Sequence, residues 1–240
     1  MIYDFVTPNI IRCNNFLPQF TKDLIWEDLW ANKDNFGIPQ WRKSNVQGQN
    51  EAENHTHLCG GKDWWDKEAP NINKLPDWVL HQGLMSWIEE QQPKSVFHFL
   101  PKFEWLWSVH AICYNRAGYY NWHQDHVTLL NGKTWCNNIF TASVVLQQPS
   151  PLEGGEALFM DGGIHVEPPK DNVMYLFPSY IPHAVKTLRS EEDVAFDQQR
   201  FSIQLWLGFD NLEGGSSSPR SGLKGPHLET TVIEGGERYL

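Results

Sequence analysis

From about residue 105 to residue 209 apolar side chains recur at every second position, in short runs broken by Gly, Pro or Asp clusters. This pattern limits the fold more than any other feature, because period two is the signature of half-buried strands. In "WLWSVHAICY" it puts Trp105, Trp107, Val109, Ala111 and Cys113 on one face. Further runs follow at 139–146, 156–160, 173–177, 183–188 and 200–209. In the last, "RFSIQLWLGF", Phe201, Ile203, Leu205, Leu207 and Phe209 share a face, and Arg200, Ser202, Gln204 and Trp206 share the other.

The segment before 105 reads differently. "QFTKDLIWEDLWAN" (19–32) sets Phe20, Leu24, Ile25 and Leu29 at helical spacing, with Thr21 placed to cap the start. "DWVLHQGLMSWIEEQQ" (77–92) sets Leu80, Leu84, Trp87 and Ile88 on a second stripe after Pro76. Between them, Asn, Gly, Gln and charge predict irregular structure. The expectation is one α+β, mainly β domain over 1–210. Its helical and irregular part is 1–104, its barrel core about 105–210, and the helices pack outside the barrel. The Gly-, Ser- and Pro-rich stretch 211–240 reads as a flexible tail, with a short strand at "TTVI".

Charge narrows the function. A formal net charge of -10, with no run of Lys and Arg to offset it, opposes a phosphate backbone, so no nucleic-acid partner is expected. No stretch approaches the ~18 apolar residues of a membrane span, and the N-terminus lacks a signal-peptide pattern. The four cysteines (13, 59, 113, 136) form no CxxC pair. Reduced thiols and a cytoplasmic location are expected, with no membrane partner.

Chemistry concentrates in "YYNWHQDH" (119–126). If this stretch is extended, His123 and Asp125 project to one side, and Trp122, Gln124 and His126 to the other. An imidazole beside a carboxylate is two-thirds of a non-haem Fe(II) site, whose third ligand is a second His. His183, at the entrance of an apolar strand, is the preferred third ligand over His165, in what reads as a solvent-side turn, and His126, on the opposite face. Arg200, opening a late apolar strand, demands an anion. Its planar fork suits a carboxylate, with Ser202 two residues on offering a hydroxyl, although an internal Asp or Glu would also satisfy it. "HTHLC" (55–59) aligns His55, His57 and Cys59 as a weaker candidate for a second metal, with no fourth ligand.

The order H-x-D, distal His, R-x-S resembles the Fe(II)/2-oxoglutarate-dependent oxygenase superfamily, close to its prolyl 4-hydroxylase-like branch. "YNRAGYYNWHQD" (114–125), "FTASVVLQQPSPLEGGEALF" (140–159), "VEPPKDNVMYLFPSYIPHAV" (166–185) and "RFSIQLW" (200–206) carry it. The resemblance implies a double-stranded β-helix, a jelly-roll or cupin-like barrel. It implies Fe(II) held by the catalytic His123, Asp125 and His183, and 2-oxoglutarate anchored by Arg200 and Ser202. Thr141 would lend the co-substrate a hydroxyl, and Tyr114 and Tyr120 would line the pocket. The "EGGE" turn reads as structural, its glycines permitting close strand approach.

The implied reaction couples oxidative decarboxylation of 2-oxoglutarate by dioxygen to hydroxylation of a C–H bond, with ascorbate as a reductant. The metal and co-substrate supply the hard chemistry. Presence of Asp125 favours hydroxylation over halogenation, which needs a vacant position at iron. The resemblance points to a prolyl residue in a protein or peptide as substrate. A small molecule or free amino acid is the alternative, because the branch usually anchors the co-substrate with Lys and at a shorter spacing from the distal His. Two further departures, Asp171 where the family has Gly and the shift of an upstream glycine to Gly118, bear on turns. The rival readings are a nucleic-acid demethylase of the same superfamily, opposed by the charge, and a barrel without turnover serving as a binding or adapter protein.

Overall fold

The computed structural model describes residues 2–37, 53–54, 56–58, 62–76, 106–125, 127–130, 133–149, 151–210 and 231–232. Among them, fourteen strands run in chain order: β1 (Ile2–Thr7), β2 (Ile10–Asn14), β3 (Glu53–Asn54), β4 (Thr56–Leu58), β5 (Leu106–Tyr114), β6 (Tyr119–Gln124), β7 (Val127–Leu130), β8 (Lys133–Gln147), β9 (Ala157–Met160), β10 (Ile164–Glu167), β11 (Val173–Pro178), β12 (His183–Val185), β13 (Arg200–Asp210) and β14 (Thr231–Val232). The helices are α1 (Gln19–Ala31), α2 (Lys62–Glu68) and α3 (Pro70–Asn73).

The strands form two antiparallel sheets. The larger has the order β1-β2-β11-β8-β13-β5-β4, with β7 also on β8; the smaller has the order β10-β9-β12-β6-β14, with β3 also on β6. This is the double-stranded β-helix expected from the sequence. Alternation along the central strands divides their side chains between two environments. Phe201, Ile203 and Leu205 of β13, Val109, Ala111 and Cys113 of β5, and Met174 and Leu176 of β11 pack outward with Ile25 and Leu29 of α1, Trp65 of α2 and Ile72 of α3. Val173, Tyr175 and Phe177 of β11 turn the other way and meet Phe159 of the smaller sheet. Both faces of β11 are covered, so all six of its residues are buried. The helices therefore pack outside the barrel, and Arg200, Ser202, Gln204 and Trp206 lie on its inner side.

Several local expectations are corrected. Helix α1 starts after Pro18, so Thr21 lies within it, and Phe20 is 72% exposed. Its buried stripe is Ile25, Asp28 and Leu29. A buried Asp is unusual, but Asp28 caps α3 across space: its Oδ2 accepts from the backbone N–H of Asn71 (2.7 Å) and Ile72 (2.8 Å). Residues 62–68 and 70–73, expected to be irregular or left unassigned, are helical. A β1–β2 hairpin, assigned to no element from sequence, extends the larger sheet at β11. The segment around His165 is strand β10, and "TTVI" contains β14, paired with β6. The 77–92 helix, His55, Cys59 and His126 lie outside the described residues.

The "EGGE" turn behaves as its glycines suggest. Gly154 and Gly155 have φ of 82° and 73°. A Cβ on Gly154 would come within 2.3 Å of the Thr187 carbonyl oxygen. The close approach permits the paired backbone bonds between Glu153 and Arg189 (2.9 and 2.8 Å). At the other turn the left-handed conformation falls on Ala117 (φ 56°) rather than on Gly118.

Candidate active site

His123 on β6 and His183 on β12 are direct cross-strand partners, which puts their rings on the same face of the smaller sheet. Asp125 follows β6 and is tied by its backbone N–H to the Ser179 carbonyl (2.8 Å). The three offer ligand atoms within 4.8 Å of one another, and no other such cluster occurs among the described residues. His123 Nε2 is 3.6 Å from Asp125 Oδ1, and His183 Nε2 is 3.4 Å from Oδ2. Each imidazole is oriented by the carbonyl two residues before it: Nδ1–H of His123 donates to Asn121 (2.8 Å) and that of His183 to Ile181 (3.1 Å). With Nδ1 protonated, both Nε2 lone pairs face the carboxylate. Lone pairs converging on one point require a cation there, either protons on the rings or a metal ion.

Asp125 is fully enclosed. Burial alone would raise its carboxyl, but His183, then His123 and the Trp206 indole, outweigh it and hold the group well below the usual carboxylate range. Its Oδ2 accepts from Thr141 Oγ1 (2.9 Å) and Trp206 Nε1 (2.8 Å), whereas Oδ1 is buried without a partner. An ionised oxygen left so would be costly, and a metal ion at the convergence point satisfies it. The residues present fit Fe(II).

Arg200 is 2% exposed, and its Nε and Nη1 have no hydrogen-bond partner. No carboxylate among the described residues pairs with it. The buried acid Glu167 is held by Arg12 (2.5 Å) and by the hydroxyl of Tyr175 (3.4 Å). Tyr114 lies against the guanidinium, 4.8 Å from its ring centre. Burial pushes the arginine pKa down, the response of a cation that has lost water without gaining an anion. The internal partner considered from the sequence is thus absent among the described residues.

One pocket joins the two features. Arg200, Tyr114, Gln204 and Ser143 line it together with His123, Asp125 and His183. Its empty space is about 520 Å³ when the open solvent at its mouth is counted. Tyr120 also lines it, stacked on the His123 ring at 3.7 Å. Ser202 is buried on the same strand face with its hydroxyl unpartnered, but it does not reach the pocket wall. Thr141 stands elsewhere than expected. It lies behind Asp125, bonded to that carboxylate and to Ser179 Oγ (3.0 Å), rather than on the wall where a co-substrate would meet it. His165, the rejected ligand, bonds the Asp161 carbonyl. Trp206, Ser179, Gln204 and Ser143 were not singled out from sequence. Alternation had placed Trp206 and Gln204 on the Arg200 face, while Ser179 and Ser143 carried no comparable signal.

Residues 109–208 match the model of the 2OG-Fe(II) oxygenase superfamily. Over this stretch the barrel is similar to the 2OG-Fe(II) oxygenases. Its class is that of an oxidoreductase, a dioxygenase or hydroxylase working with Fe(II) and 2-oxoglutarate. No curated protein matches the chain. Solved structures share the fold at low identity. A prolyl hydroxylase from Trichoplax adhaerens, in complex with a hypoxia inducible factor peptide fragment, is 18% identical with a TM-score of 0.59, over 84% of each chain. A Pseudomonas putida prolyl-4-hydroxylase is 16% identical with a TM-score of 0.54, over 85% of this chain and 94% of that one. HygX from Streptomyces hygroscopicus, with nickel and 2-oxoglutarate bound, is 10% identical with a TM-score of 0.52, over 83% and 82%. Among the described residues no helix is long and apolar enough to cross a membrane.

Proposed function

We propose that the protein hydroxylates a prolyl residue of a protein or peptide, with Fe(II) held by His123, Asp125 and His183 and 2-oxoglutarate anchored by Arg200. The observation that carries the metal and co-substrate assignment is the pairing, in one pocket, of an unpartnered carboxylate oxygen with a buried guanidinium whose Nε and Nη1 have no partner. A dicarboxylate completes both ends: one end meets the metal, and the other meets the guanidinium fork. The metal supplies oxygen activation when bound. The chain's own part is to orient two imidazoles through backbone carbonyls, to keep Asp125 ionised, and to exclude water with Phe159, Phe177 and Ile112 along the wall. Tyr114 and Tyr120 bracket the space, one against Arg200 and one against His123.

The prolyl assignment rests on the shared fold with prolyl hydroxylases over most of both chains. The small-molecule alternative draws on HygX, also described with hygromycin B bound, at a TM-score of 0.51. An anaerobic titration with Fe(II) and 2-oxoglutarate tests the centre. A visible charge-transfer band is expected in the wild type, weakened in Arg200→Ala and Asp125→Ala; a folded wild type without a band overturns the assignment. A screen of prolyl peptides against free amino acids, read as a gain of one oxygen atom coupled to succinate, then decides the substrate. Hydroxylation of free amino acids alone would refute the prolyl reading.

A further inference from the structure

The two oxygens of Asp125 are treated differently by the fold. Oδ2 accepts from Trp206 Nε1 at 2.8 Å and from Thr141 Oγ1 at 2.9 Å; Oδ1 accepts from nothing and is buried. Both donors are themselves fixed. The Thr141 hydroxyl gives its hydrogen to Asp125 and is the acceptor for Ser179 Oγ at 3.0 Å, and Thr141 and Ser179 are both fully buried. The Trp206 indole meets the His110 ring edge to face at 4.7 Å. Ser179 also binds the Asp125 backbone N–H through its carbonyl (2.8 Å), so side chain and main chain are held from the same point.

A carboxylate at a metal can give one oxygen or two. Rotating Asp125 to offer both would strand a buried indole N–H and a buried hydroxyl, the costly outcome for a buried donor. We propose that Trp206 and Thr141 are positioning residues that hold Asp125 to one-oxygen ligation through Oδ1. The carboxylate then fills a single coordination position. More positions stay open for the co-substrate and dioxygen than a two-oxygen carboxylate would allow. This rests on reading His123, Asp125 and His183 as the metal centre.

The test uses Co(II) as a spectroscopic stand-in, added to the full chain with and without 2-oxoglutarate. Four proteins are compared: wild type, Trp206→Phe, Thr141→Val, which keeps the shape and removes the donor, and Thr141→Ser, which keeps the donor and removes the methyl group. Co(II) affinity is expected to fall about 10- to 100-fold in Trp206→Phe and Thr141→Val while Thr141→Ser stays within about threefold of wild type. The Co(II) d–d bands should lose intensity in the two weakened variants as coordination number rises. Wild-type affinity and spectrum in both folded donor-deleted variants would overturn the proposal. So would a Thr141→Ser variant as impaired as Thr141→Val, which would mean that packing alone matters. If Trp206→Phe fails to fold in a thermal melt, the Thr141 pair decides. Absence of Co(II) binding in the wild type would overturn the metal centre itself, and the positioning role with it.

Discussion

Cys13 is fully enclosed, and burial pushes its thiol up to about 12 from an ordinary 9.0; burial pushes Cys113 in the same direction. The folded state keeps protons that the unfolded chain releases. The stabilisation is complete below the ordinary thiol value and is lost as pH rises from there toward the folded value. The slope is at most about 1.4 kcal/mol per pH unit for each thiol. Urea midpoints measured between pH 8 and pH 10.5 should fall more steeply in the wild type than in Cys13→Ala, even though the variant starts lower from its cavity. Both thiols should also resist a thiol reagent until the protein unfolds. The sequence reading of reduced, structural cysteines agrees with the free, buried state of these two.

The turn between β8 and β9 carries a sharper expectation. Gly154→Ala combines a left-handed backbone with a Cβ driven against the Thr187 carbonyl, and should cost about 2 kcal/mol or more, read as a lowered denaturation midpoint. In the helices, Asp28→Ala removes two backbone caps and an Asn71 side-chain bond (2.9 Å) from α3, for a loss of about 2 kcal/mol, measurable the same way. The glycine turn was legible in the sequence because two adjacent glycines report a backbone need directly. The α3 cap was not, because Asp28 and Asn71 are 43 residues apart and Asp28 sits where a helical stripe expects an apolar residue. Strands β5, β11 and β13 were legible because one side packs on helices and the other faces the barrel interior. The β1–β2 hairpin was missed because it lies at a sheet edge, where Phe5 is exposed and the alternation is diluted.

At the scale of the whole molecule, no carboxylate among the described residues compensates the buried charge of Arg200, and that charge links stability to ligand. Replacing a buried cation that has no carboxylate partner with an apolar side chain of similar volume removes the cost of desolvating that charge. Arg200→Met should therefore melt at or above the wild-type temperature without ligand. With Mn(II) present, 2-oxoglutarate at 100 times its Kd should stabilise the wild type by about 2.7 kcal/mol and leave Arg200→Met unmoved. A variant that melts well below the wild type would show Arg200 to be structural. Read alone, the sequence pointed through its period of two to a mainly β sandwich or barrel and to His123, Asp125, His183 and Arg200 as candidates, and the resemblance it carries narrowed the fold to the double-stranded β-helix. It could not specify that Thr141 and Trp206 meet Asp125 rather than a co-substrate, that Glu167 is engaged by Arg12, or that Asp28 caps α3. Those pairings join residues 16, 81, 155 and 43 positions apart. Spacing within a strand tells which way a side chain points; only the packing of one strand against another tells what it meets.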